Sequence, residues 1–163
     1  MNASSPEPPK QKSLFKAILL TGLLAGTLDI TCAIIHYLIR TQKNPVKIFN
    51  YIASAVFGKT EAYADGVLMP VLGLIFHYCV ATIFTAFFFL IYPKIKILSK
   101  NIVATGLLYG IFVWLVMSFI VVPLSNIGSF PSSVLQSIIG CLILMFAIGL
   151  PVSILAYRYY FKK

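Results

Sequence analysis

Three side chains in this sequence could move a proton, and all three lie inside apolar runs. Asp29 and His36 sit seven residues apart between Lys16 and Arg40, and His77 sits in the next apolar run. Gly22, Gly26, Asp29 and His36, spaced four, three and seven residues, fall on one face of a 3.6-residue helix. That face cannot point at lipid. An isolated charge at the bilayer centre costs about 2.5 to 3.5 kcal/mol, so Asp29 must be neutral, paired, or turned toward protein or water.

An acid and an imidazole in low-dielectric surroundings can share or exchange a proton, the arrangement found in proton relays and ion paths. At 1.5 Å rise per residue, Asp29 falls near mid-span, His77 slightly outward of it, and His36 roughly 10 Å further out, so the three could form a ladder. Pro151 removes the N–H that would bond the Ala147 carbonyl, which leaves an acceptor on the last span that could face the same space. A second account stays open at this point, in which a single acid with a polar partner is interhelical glue. Haem ligation by His36 and His77, or a metal on these two and Asp29, suffers from their different depths. No cofactor or metal is expected. No Ser-His-Asp set, phosphate loop or paired carboxylates are present, so the reading is not an enzyme.

These residues must be held by a membrane fold. Of 163 residues, 60% are hydrophobic and 10% charged, with a mean hydropathy of +0.94, values that exclude an ordinary soluble domain. The formal charge of +9 comes from cations at the ends of apolar runs, which form no stripe for nucleic acid. Cys32, Cys79 and Cys141 lie singly in apolar runs without CxxC spacing, as buried thiols do.

The expected fold class is all-α, a polytopic membrane protein with four transmembrane helices at about 14–39, 67–92, 102–124 and 134–157. Residues 1–13, rich in proline, read as a disordered cytoplasmic tail, and 14–163 as a single transmembrane domain. The first apolar run is too long for a cleavable signal peptide and stays as a span. Between the first two spans, Asn44-Pro45 starts a short helix over about 45–57 that closes at Gly58. Its apolar stripe of Ile48, Phe49, Ile52, Ala53, Val56 and Phe57, with Lys47, Asn50 and Ser54 away from it, reads as an amphipathic interfacial helix. Gly73 and His77 share a face of the second span. Cations crowd the tail, the loop after the second span and the C-terminus, and are missing after the third span, so both termini are expected to be cytoplasmic.

Thr21-Gly22-Leu23-Leu24-Ala25-Gly26 returns in the third span as Thr105-Gly106-Leu107-Leu108-Tyr109-Gly110, and Gly73 to His77 matches Gly140 to Leu144 more weakly. This suggests a parallel 2+2 repeat in which Asp29 aligns with Val113, His36 with Ile120 and His77 with Leu144. Only the first half then carries titratable groups. The glycine pairs are expected to let the first and third spans approach closely.

Gly26-Thr27-Leu28-Asp29-Ile30, Ile52 to Gly58, Gly73 to Tyr78, Gly106 to Gly110, Pro123-Leu124-Ser125 and Ile148 to Pro151 resemble the recurring blocks of a family of small bacterial four-helix membrane proteins akin to the YagU-like group. The resemblance covers nearly the whole chain past the tail and implies the bacterial inner membrane, with no known activity. The family pattern has an asparagine where this chain has Ser118 and a histidine where it has Leu144, so it brings no second polar site into the last span.

The sequence thus leads to a multi-pass membrane protein whose first two helices enclose a polar pocket of Asp29, His36 and His77 that conducts or couples a proton or small solute. Four short-looped helices offer little interior, so a homo-oligomer or a partner membrane subunit is expected to complete the path. The alternative is a non-catalytic accessory or scaffold subunit that docks a partner through the interfacial helix. Replacing Asp29 by Asn separates them: transport loses flux, a scaffold loses assembly or nothing.

Overall fold

The computed structural model describes residues 13–64, 66–130 and 133–161. Apart from Ser13, the expected tail lies outside these residues, as do Asp65, Pro131 and the last two lysines. Among the described residues all regular structure is helical, with four helices long and apolar enough to cross a membrane. These are α1 (Leu14–Thr41), α3 (Leu68–Lys94), α4 (Ile102–Leu124) and α5 (Val134–Phe161), with α2 (Val46–Ala62) between the first two.

Local chemistry sets the boundaries. Ser13 accepts from the Lys16 amide and starts α1, and Gln42, at φ 52°, ends it in a left-handed turn. Asn101 and Ser133 cap α4 and α5 in the same way, accepting from Ala104 and Gln136. Prolines do not break the long helices. A π turn at Met117–Val121 precedes Pro123, and another at Met145–Gly149 precedes Pro151, each ending two residues before the proline. A wider turn moves the chain away from the clash a proline ring makes with the preceding turn. Pro151 therefore bends register without interrupting α5.

The glycine pairs do not join α1 to α4. Gly22 and Gly26 pack on α3, where an added Cβ would lie 2.9 Å from the Thr82 Cα and 3.0 Å from the Tyr78 ring. Gly106 and Gly110 pack on α5 instead, against Gly149, Leu144 and Met145. Helical periodicity selects a face but not the neighbour that meets it. The two contacts are equivalent, because the alignment pairing Gly22 with Gly106 and Gly73 with Gly140 also pairs Thr82 with Gly149 and Tyr78 with Met145. The bundle is thus two hairpins, α1–α3 and α4–α5, with α1 also against α5.

Across the remaining gap α3 and α4 meet through large side chains. Phe88 and Tyr109 rings lie 4.5 Å apart, and Phe87 stacks on Phe112 at 5.8 Å. Phe88, Phe89, Tyr92, Tyr109 and Val152 form the buried core of the end that holds the start of α1, the 95–101 connection and the close of α5. This is the terminal end, and the other is the loop end.

At the loop end α2 lies on α3 so closely that a Cβ on Gly73 would collide with the Phe49 carbonyl. The polar face expected to look outward is partly turned in. Asn50 and Ser54 are buried, while Val56 and Phe57 are exposed. Their polar groups are satisfied locally, Asn50 Nδ2 donating to the Ala62 carbonyl and Ser54 Oγ to the Tyr51 carbonyl, which removes the penalty for burying them. Gly58, at φ 81°, kinks the helix where the sequence reading ended it, and the chain resumes to Ala62. Asn126, from the connection after α4, binds α2 through its backbone N–H to the Ala55 carbonyl and its Nδ2 to the Val56 carbonyl, tying the two loops into one rim.

Candidate functional site

Because Gly26 has no side chain, α3 comes near enough for a side chain to reach the α1 backbone. His77 Nε2 donates to the Gly26 carbonyl at 2.8 Å. The neutral ring therefore carries its proton on Nε2, and Nδ1 is the atom that takes up a second one. Beside it, Thr27 Oγ1 donates to the Leu23 carbonyl, so at 2.9 Å Tyr78 must donate its hydroxyl proton to Thr27. These bonds fix the face of α3 next to Asp29, one turn beyond Gly26. Asp29 is close enough to His77 for their charges to interact.

Asp29, His36 and His77 open onto a single cavity of about 450 Å³. It does not lie between α1 and α3 alone: all four long helices line it, and Ile48 of α2 closes part of its rim. An interior space of this size is thus present within one chain. Volumes of this size are ordinary for sites that hold small organic molecules.

Several lining residues were not assigned to the site in the sequence reading. Trp114 and Ser118 come from α4, Gln136 from the first turn of α5, and Tyr37 and Arg40 from the end of α1. A signal existed for some of them. Trp114 and Ser118 are four apart and share a helix face, and Gln136 is an amide inside an apolar run, an expensive placement unless it meets protein or water. The glycines divide differently. Gly140 lines the cavity with Trp114 beside it, 3.6 Å from where a Cβ would stand, whereas Gly22, Gly26, Gly73, Gly106 and Gly110 are absent from the lining and act in packing. Ala147 is buried and also absent from the lining, so the carbonyl that Pro151 was expected to free is not part of this space. Near the rim, burial and then the neighbouring Tyr37 and Tyr51 push the Tyr63 phenol above its usual range, keeping it a neutral hydroxyl.

The floor of the cavity is Phe84, Val113 and Ile148. Directly beneath, the Tyr109 hydroxyl donates to the Phe84 carbonyl at 2.6 Å and its ring packs on Phe88, both side chains being buried. Beyond this barrier a second cavity of about 400 Å³ opens at the terminal end, lined by Phe88, Tyr109, Leu98, Lys100, Asn101 and Thr105 among others. This second cavity is lined by α3, α4 and the connection between them, whereas all four long helices line the first.

Among the described residues, no three His, Cys, Asp or Glu side chains converge in a way that could hold a metal ion. No protein-family model, curated protein or solved structure matches the chain.

Proposed function

We propose that this chain is a multi-pass inner-membrane protein that couples the passage of a small solute to a proton carried by Asp29 and His77. The observation that carries the reading is that three titratable side chains from two helices meet in one cavity lined by all four. Interhelical glue has no use for 450 Å³ of open space around the acid. The second cavity and the aromatic layer between the two support a path that is closed at one point. The kinship with small bacterial four-helix membrane proteins belongs to the same proposal.

Orientation follows from charge. Of 13 lysines and arginines, only Arg40, Lys43, Lys47 and Lys59 belong to the loop end, and this imbalance supports a cytoplasmic terminal end. The large cavity then faces outward. Exposed apolar side chains such as Leu20, Ile83 and Leu115 meet lipid or a further subunit.

The test is proteoliposomes with a trapped pH dye, challenged with gradients of small organic solutes. Wild-type vesicles are expected to change internal pH with a transported solute, and Asp29→Asn vesicles, equally well assembled, to stay silent. An accessory or scaffold role is the second reading, favoured by the exposed Val56 and Phe57 on α2. It predicts that Asp29→Asn loses assembly or changes nothing.

A further inference from the structure

Resting on the reading of the large cavity as a solute site, we infer that its solute is a small amphipathic organic anion that enters only with a proton. The polar groups lining the cavity are mostly donors. Arg40 and Trp114 have donor hydrogens and no acceptor, Tyr37, His36, Gln136 and Ser118 can each donate, and His77 can donate from Nδ1 once that atom is protonated, against the one carboxylate of Asp29. Cations stand at both ends of the path, Arg40 in the large cavity and Lys100 in the second. Apolar and aromatic side chains, Phe84, Val113 and Ile143 among them, make up the remainder, so the body of the solute is apolar and its head carries the charge.

Asp29 then sets the stoichiometry. In these surroundings an ionised carboxylate repels a second anion a few ångströms away, and the head cannot settle while the acid is ionised and His77 neutral. One added proton, on the Asp29 carboxylate or on His77 Nδ1, takes the pair from a charge of −1 to zero and supplies a new donor. The groups facing this pair from the other elements do not compensate for the charge: α4 brings Trp114 and Ser118, α5 brings Gln136, and α2 brings Ile48. On α1 itself, His36 and Arg40 lie farther out and draw the anion to the mouth. One proton travels with one monovalent anion, and the step moves no net charge.

The sole tryptophan of the chain, Trp114, lines the cavity and reports occupancy by its fluorescence. Purified full-length protein in nanodiscs is titrated with benzenesulfonate and with benzyltrimethylammonium, aromatic ions of opposite and permanent charge, between about pH 5 and pH 8. Benzenesulfonate is expected to bind and to weaken by up to about tenfold per pH unit as the pair deprotonates. Asp29→Asn, which leaves no negative charge to neutralise, is expected to bind it at pH 8 about as tightly as the wild type does at pH 5. Arg40→Gln, at the exposed end of α1, is expected to weaken it at every pH. Tighter binding of benzyltrimethylammonium, strengthening as pH rises, would overturn the anion assignment while leaving the site intact. Binding of benzenesulfonate that ignores pH in the wild type removes the coupling. If neither ion disturbs Trp114 in monodisperse protein, the cavity is not a solute site and the reading beneath this inference fails with it.

Discussion

Val113 stands in α4 where Asp29 stands in α1, and both side chains line the same cavity. The same alignment matches His77 with Leu144, Ala81 with Ile148 and Ala33 with Met117, and all six of these residues also line it. The cavity therefore lies where the two halves face each other. Its chemistry is one-sided: the α1–α3 hairpin supplies acid and imidazole, and the α4–α5 hairpin answers with apolar side chains, Trp114, Ser118 and Gln136.

Packing within each hairpin rests on missing side chains, and this can be graded. Gly106→Val places a side chain against the Gly149 and Leu150 backbone, which cannot give way as a flexible side chain does. It is expected to destabilise the protein by about 1 to 3 kcal/mol, and Gly22→Val, against the Thr82 backbone, by a similar amount. Gly140→Ala has 3.6 Å to the nearest Trp114 atom and is expected to melt like the wild type while shifting Trp114 fluorescence. Thermal unfolding of the three variants checks the order, and equal melting of all three would contradict it.

Tyr109→Phe keeps the ring on Phe88 and deletes only the hydrogen bond to the Phe84 carbonyl. A bond of this kind is worth about 1 kcal/mol, so the open state of the barrier is expected to be populated about fivefold more. Solute leak through vesicles should rise by that factor with little change in melting temperature. Unchanged leak would move the barrier elsewhere.

His77→Gln retains a donor that can reach the Gly26 carbonyl but cannot hold a second proton. Assembly is expected to survive while the pH dependence of flux narrows to a single titrating group. Loss of assembly would make His77 a structural residue instead.

Cysteine scanning reads both the access and the orientation. After the native cysteines are replaced, Ser118→Cys and Gln136→Cys are expected to react with a membrane-impermeant thiol reagent added outside. Val152→Cys, fully buried behind the barrier, is expected to stay unreactive. Reaction of the first two only from the cytoplasmic side would invert the topology.

The spans were legible because long apolar runs closed by cations have few structural alternatives. Asp29, His36 and His77 stood out because polar groups in such runs are expensive. Partner choice was not legible: the spacing of Gly22 and Gly26 fixes a face of α1, but whether α3 or α4 meets it depends on how the hairpins pair. The inward turn of Asn50 was hidden for a related reason. Its partner is a carbonyl beyond the kink at Gly58, and no periodicity within α2 announces that contact. Trp114 and Gln136 joined the site through tertiary placement, by the meeting of α4 and α5 around a space that α1 and α3 also border.

The central claim is that Asp29 faces water on the loop side of the bundle. Carbon-13 NMR of labelled aspartate in reconstituted protein, with Asp29→Asn to assign the signal, tests it directly. The account predicts an Asp29 carboxyl resonance that titrates with external pH and broadens when an impermeant paramagnetic chelate is added on that side only. A resonance that neither titrates nor broadens would show a dry, packed acid, and the proposed coupling would have no proton to work with.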